Sequence, residues 1–271
     1  MSGDSIMRIA LVWLVSVSAM AAELTQAEKE AFLRNARIVK KWHTPRGVAN
    51  PWQAILDDGT MQHDAHIQTV DVRKDTHQTA RGVEFDFRDS YKYNIAAYEL
   101  AKILELDMVP PSVERKVTGQ DAAVTWWVDN KKFDEVDRIL RKIEPADREG
   151  WEKQMHVVRV FDQLICNTDR NRGNLVITND WQVFMIDHTR AFRKNHDLLD
   201  AKSLGQCDRR LLAKLRELSR PVLTEHLGKH LTGPEIDGIW ARREKIVKFF
   251  DDELARKGPE RVLFDLAGVR K

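Results

Sequence analysis

Three oxygen-bearing side chains stand close together in residues 167–192, NTDRNRGNLVITNDWQVFMIDHTRAF. Asp169 and Asn174 are five positions apart, just after an apolar helical run, and Asp187 follows at the end of a short strand. Carboxylate and amide oxygens are hard ligands that suit Mg²⁺. A carboxylate on a loop can also orient an incoming hydroxyl and take its proton. The three together suit phosphoryl transfer, which asks mainly for an oriented nucleophile and neutralised phosphate charge. Taken singly they are ordinary: Asp and Asn favour turns, and Asp187 reads as a strand-end cap. The spacing, with strands at 175–177 and 181–186 turning at Thr178-Asn179-Asp180, favours a nucleotide–metal site.

The elements around this stretch fall into two halves. Residues 25–35 form a short polar helix, with Thr25 as N-cap and Glu28 at the capping-box position. Strands are expected at 37–42, 52–56 and 65–72, separated by a turn-rich segment at 44–51 and by Asp57-Asp58-Gly59. Residues 73–90 are polar and read as a loop. Ala96, Leu100 and Ile103 recur at helical spacing, so 91–106 is a helix, stopped by Pro110-Pro111. Strands at 112–117 and 122–128 make a hairpin around Thr118-Gly119-Gln120-Asp121. Beyond the joint near Asp129 the chain turns helical, at 151–168, 208–219, 221–230 and 233–256. The expectation is an α+β, two-lobed chain: a β-rich lobe over 23–129 and a mainly helical lobe over 130–271.

The loop Asp169-Arg170-Asn171-Arg172-Gly173-Asn174 resembles the D-R-x-x-x-N loop of the phosphoinositide-kinase-like branch of the protein-kinase superfamily, with its bacterial and HipA-type relatives. Ile186-Asp187-His188 resembles that branch's metal-binding motif. Tyr98 through Val113 (YELAKILELDMVPPSV) is similar to its small-lobe helix and Val-Pro segment. The resemblance spans residues 36–250. It implies a two-lobed kinase-like fold with Mg²⁺–ATP between the lobes. Asp169 would be the catalytic base or hydroxyl-orienting residue, with Arg170 supporting it, and Asn174 and Asp187 the metal ligands. The acceptor would be a hydroxyl on a protein, a lipid or a small molecule.

The chain also departs from that pattern. A phosphate-pairing Lys is expected on the third strand, yet residues 65–72 contain none, and Gln68 stands about where it belongs. Lys74, Lys40 or Lys41 could serve instead. Glu99 is the acidic candidate on the helix, with Asn94 the alternative for the usual acidic position. Gly47 is the lone glycine of the 44–51 turn, a thin phosphate cradle. Trp127 or the backbone of Val128 is placed to meet adenine, since nucleotide sites are mostly apolar with a few polar groups. A catalytically impaired pseudokinase that binds nucleotide or protein is the second reading. A metallohydrolase built on His63, Asp64 and His66 is a third, for which a strand-edge polar cluster is the plainer account. Asp162 reads as structural, Cys166 as a buried thiol, Trp126-Trp127 as core and cleft wall, and Arg242-Arg243 as a solvated face.

Composition narrows the classes further. With Lys+Arg 44 against Asp+Glu 42 in 271 residues, the net charge of +2 gives no basic excess for a nucleic-acid binder. Two cysteines, Cys166 and Cys207, exclude a disulfide scaffold and a four-cysteine zinc site but allow one bridge. Residues 9–22 form an apolar run behind Arg8, ending in Ala19-Met20-Ala21. That pattern predicts an export signal over 1–22, too short for a comfortable membrane span. An uncleaved anchor or a buried helix is the other reading. ATP is scarce outside the cytosol, so export and ATP use pull against each other.

Overall fold

The computed structural model describes residues 24–44, 51–79 and 82–266. The expected leader and Gly47 lie outside these residues.

Helix α1 (Gln26–Asn35) opens on the expected capping box: Glu28 N donates to Thr25 Oγ1 at 3.2 Å, and Thr25 N donates back to Glu28 Oε2 at 2.8 Å. Seven strands follow around one helix: β1 (Arg37–His43), β2 (Trp52–Asp57), β3 (Gln62–Gln68), β4 (Asp71–Thr79), β5 (Gly82–Ser90), then α2 (Lys92–Ile103), β6 (Ser112–Val117) and β7 (Gln120–Trp126). Five of them form an antiparallel sheet in the order β1-β2-β3-β7-β6. The β6–β7 turn is tighter than expected. Only Thr118 (φ 49°) and Gly119 (φ 84°) lie between the paired ends, both in the left-handed region, as a two-residue hairpin requires. Phe32 and Leu33 of α1 pack on Leu56, Ile67, Val113 and Val124 of this sheet. Each such side chain contributes about 1.5–3 kcal/mol.

Residues 73–90 are not a loop. β4 and β5 pair from Asp71↔Ser90 to Thr79↔Gly82 as a separate two-stranded hairpin. Their polarity concealed them. The hairpin stands off the main sheet, so most of its side chains meet water and the apolar alternation of a half-buried strand is weak. The third strand accordingly ends at Gln68, and the chain re-enters a new strand at Asp71.

The second half contains β8 (Lys131–Asp134), α3 (Glu135–Leu140), α4 (Arg148–Ile165), β9 (Leu175–Thr178), β10 (Val183–Met185), β11 (Cys207–Asp208), α5 (Arg209–Glu217), α6 (Arg220–Leu227), α7 (Gly233–Lys257), α8 (Pro259–Val262) and β12 (Leu263–Phe264). Three of these strands form a sheet in the order β10-β9-β8, and β11 and β12 pair separately in parallel. The larger core joins Val157, Phe161 and Leu164 of α4 to Ile239, Ile246 and Phe250 of α7. Ala96, Leu100 and Ala101 of α2 are buried in this same core, so that helix seats the sheet-rich part on the helical part.

Arg242 is not on a solvated face. It is fully buried on α7, donating to Leu164 O at 2.9 Å and to the Arg193 and Asn195 carbonyls. Burial pushes its guanidinium down to about 10. Arg243 likewise donates to the carbonyls of Leu215 and Arg216. Both long side chains satisfy main-chain carbonyls, in the last turns of α4 and α5 and at Arg193 and Asn195, that helix periodicity alone does not reveal. Cys166 and Cys207 are free and buried, so no bridge forms between them.

Candidate active site

The loop between α4 and β9 is built around one guanidinium. Helix α4 ends with Cys166 in the left-handed conformation, φ 50°, which turns the chain out of the helix. Asn167 then bonds back to Asp162 at 3.1 Å and accepts from Asp169 N at 3.1 Å. Arg170 folds inward. Its Nε donates to Asp162 Oδ2 at 2.9 Å, and its Nη1 donates to Asn174 O at 3.0 Å and Ile186 O at 2.8 Å. One side chain thus ties the end of α4, the loop and the strand leading into Asp187. Planar, multidentate donation of this kind is what arginine provides and lysine does not. Arg170, expected as a catalytic-loop residue, is spent on these bonds and does not line the cleft.

The loop side chains that remain free face a cleft of about 1330 Å³ between the two halves. Asp169, Asn174 and Asp187 all line it. The Asn174 amide donates to Asp169 O at 3.3 Å, which leaves its Oδ1 as a free acceptor. Asp187 sits at φ 54°, and Thr189 Oγ1 donates to its Oδ1 at 3.1 Å. Asp tolerates this left-handed geometry better than most residues. Burial pushes the Asp169 carboxyl above its ordinary value; Arg190, 3.9 Å away, opposes this, and the charge of Asp187 adds to it.

Trp127 and Val128 also line the cleft. Trp126 is core: its ring stacks on His63 at 3.6 Å between centroids, and its Nε1 donates to Asp129 Oδ2 at 2.8 Å. His63 Nε2 meets Asp129 Oδ1 at 2.7 Å, so this histidine, on the central strand rather than a sheet edge, is held by a structural polar contact. His66 is separate from it and lines the cleft. Burial pushes the His66 ring below its ordinary value, against the pull of Asp187. Among the described residues no three His, Cys, Asp or Glu side chains group as a metal cage.

Other expected residues are elsewhere. Lys40 is exposed on β1, the sheet's edge strand, with its ammonium 5.6 Å from the Trp42 ring, and is off the cleft wall. Lys41 donates to Thr118 Oγ1 at 3.5 Å. Glu99 faces Lys102 at 3.1 Å, away from the cleft. It lies five positions from Asn94, about 140° around a helix, so both cannot face one side. Asn94 is the cleft residue: its Oδ1 accepts the backbone N–H of His188 at 2.7 Å. His188 is buried, and burial, with the charge of Arg170, holds its ring well below the ordinary value. Gln68 and Lys74 both line the cleft, and Gln68 Oε1 is buried without a partner.

Asp89 on β5 is the residue the sequence did not single out. It lines the cleft, and its Oδ1 is buried and unpartnered. Burial raises its pKa, with Thr189 opposing and the charges of Asp187 and Asp169 adding. Its only sequence signal is its position in a polar segment just before α2. The oxygen donors at this end are Asp187, the Asn174 amide and Asp89, whose Oδ1 has no partner. That chemistry fits Mg²⁺, completed by phosphate oxygens rather than a protein cage.

No protein-family model matches the chain, and no curated protein matches its sequence. Solved structures do. The Fam20 protein of hydra, solved with a sugar, superposes with a TM-score of 0.63 at 15% identity, over 89% of this chain and 93% of that one. The Golgi casein kinase superposes at 0.61 with 13% identity, over 90% of this chain and 79% of that one. The chain has a two-lobed kinase-like fold, with a sheet-rich N-terminal part.

Proposed function

We propose that the chain is a Mg²⁺–ATP-dependent phosphotransferase acting on a hydroxyl. One observation carries this reading: Asp169, Asn174 and Asp187 open into the same cleft as Trp127 and Val128. Adenine would meet the Trp127–Val128 wall, and the phosphates would lie toward Asp187. Asn174 and Asp187, with Asp89 beside them, would hold the divalent cation. Bound there, the cation would neutralise phosphate charge. Asp169 orients the acceptor and receives its proton as the hydroxyl oxygen bonds to the γ-phosphorus and the bond from that phosphorus to the ADP oxygen breaks. Arg170 holds the loop in register throughout.

The names of the neighbours support this reading. One is a casein kinase and the other was solved with a sugar, so protein and sugar hydroxyls head the acceptor panel. The loop motif is similar to the phosphoinositide-kinase-like branch, which keeps lipid hydroxyls on that panel. The Golgi location in one neighbour's name agrees with the export expected from residues 1–22. No helix among the described residues is long and apolar enough to cross a membrane.

Gln68 favours a second reading, an ATP-binding pseudokinase, because it brings no positive charge from β3. Titration of Mg²⁺–ATP, followed by a radiolabel transfer assay over protein, sugar and lipid acceptors, separates them. The transferase reading expects transfer that Asp169→Ala abolishes while ATP still binds, and Asp187→Ala loses Mg²⁺-dependent binding. Binding without transfer selects the pseudokinase. Absence of Mg²⁺–ATP binding, unchanged by Asp187→Ala, removes both.

A further inference from the structure

The metal end of the cleft is acidic and short of positive charge. Asp89, Asp169 and Asp187 line it, and Gln68 contributes only a neutral amide. Arg190 is already committed, to Glu84 at 2.6 Å and to Asp169 at 3.9 Å. A Mg²⁺–nucleoside triphosphate would arrive with a net charge of about −2, which calls for a cation on the phosphates.

Lys74 is placed to supply it. It lies on β4 directly across from Phe87 on β5, exposed and on the cleft wall. The Arg190 guanidinium sits 5.0 Å from the Phe87 ring. Two residues along β5 from Phe87 is Asp89, within the field of Asp187 and bonded to Thr189. These neighbours put Lys74 at the phosphate end. Among the described residues its ammonium has neither an ion pair nor a hydrogen bond. Lys131, also on the wall, pairs across to Thr178 on β9 and so belongs to the hinge end.

We infer that Lys74 is the phosphate-gripping cation of this cleft, delivered by the β4–β5 hairpin instead of by the third strand of the sheet. The inference rests on the nucleotide reading above. The hairpin is fixed to the segment that carries Asp187. Ser90 N donates to Thr189 O at 2.9 Å, and Glu84 is gripped by both Arg190 and Arg193. The grip on phosphate is thereby registered against the metal-binding aspartate. A lysine suits the task as a compact charge on a long stem, able to reach the cleft from a strand that is not part of its floor.

Calorimetric titration of the full chain with Mg²⁺–AMP-PNP and with adenosine tests this. Lys74→Ala should weaken AMP-PNP by about tenfold or more and leave adenosine unchanged, since a hydrogen bond to a charged group is lost from the phosphates alone. Lys74→Arg should stay within about threefold of the wild type, and Lys40→Ala, a matched charge loss off the wall, should bind both ligands normally. Wild-type affinity for AMP-PNP in Lys74→Ala overturns the inference, as does equal weakening of both ligands. A wild-type chain that binds neither ligand overturns the nucleotide reading itself, a distinguishable result.

Discussion

Asn94 on α2 accepts the backbone N–H of His188 at 2.7 Å, one residue after Asp187. A helix buried in the larger core therefore fixes the backbone beside the candidate metal ligand. Asn94→Ala leaves that buried donor without an acceptor, a cost of about 1–3 kcal/mol. More tellingly, Mn²⁺ affinity should fall, read by the free-ion signal in electron paramagnetic resonance. Asn94→Asp keeps an acceptor and should keep the fold. Undiminished Mn²⁺ affinity in Asn94→Ala would show that His188 needs no such anchor.

Arg170 and Asp162 form an ion pair at 2.9 Å with side chains only 11% and 12% exposed. Removing one partner of such a pair leaves a buried charge and costs about 3–5 kcal/mol. Arg170→Ala should lower the melting temperature by roughly 6–20 °C for a chain of this size. It should also cut transfer, because Asn174 O and Ile186 O lose their shared donor. A variant that melts within about 2 °C of the wild type would contradict the keystone role.

Glu84 holds the β4–β5 hairpin to Arg190 and Arg193. In Glu84→Gln the hairpin should open more often, with amide exchange across 71–79 and 82–90 rising about tenfold, while α4 and α7 stay protected. Exchange that rises everywhere, or nowhere, would count against a local clasp.

Glu30 on α1 reaches Lys102 on α2 at 2.8 Å and accepts from the Tyr98 hydroxyl at 2.9 Å. Burial works to raise its carboxyl, but the bonds from Lys102, Tyr98 and Arg34 outweigh it and hold the group below its ordinary 4.5. A depressed folded-state value means the ionised form stabilises the fold. That stabilisation is complete above 4.5 and disappears as pH falls through the lower folded value. Urea titrations should show wild type more stable than Glu30→Gln near neutrality, with the gap closing in acid. A gap that widens in acid would reverse the assigned sign.

The loop of Asp169 and Asn174 and the strand of Asp187 were legible because they are local. Their spacing, the apolar run before them and the hairpin between them all lie within 26 residues of sequence. The helix at 91–106 was legible for the same reason, since its period repeats within a few turns. Lys40 and Glu99 were misplaced because strand position and helix phase relative to a cleft are not local properties. The hairpin over 71–90 was missed because its strands are mostly solvated, so their alternation carries little hydrophobic contrast.

By itself, the amino-acid sequence determined which side chains carry oxygen ligands, how far apart they fall along the chain, and where helices and most strands begin. Those features follow from backbone periodicity and from contacts a few residues long. Tertiary structure alone decided which of those side chains share a cavity. It turned Arg170 inward as a brace, buried Arg242 against the carbonyls of Leu164, Arg193 and Asn195, and carried Lys74 and Asp89 to the cleft on a hairpin. Each of these depends on packing between segments distant in sequence, and such packing is set by the summed burial of both cores rather than by any single stretch.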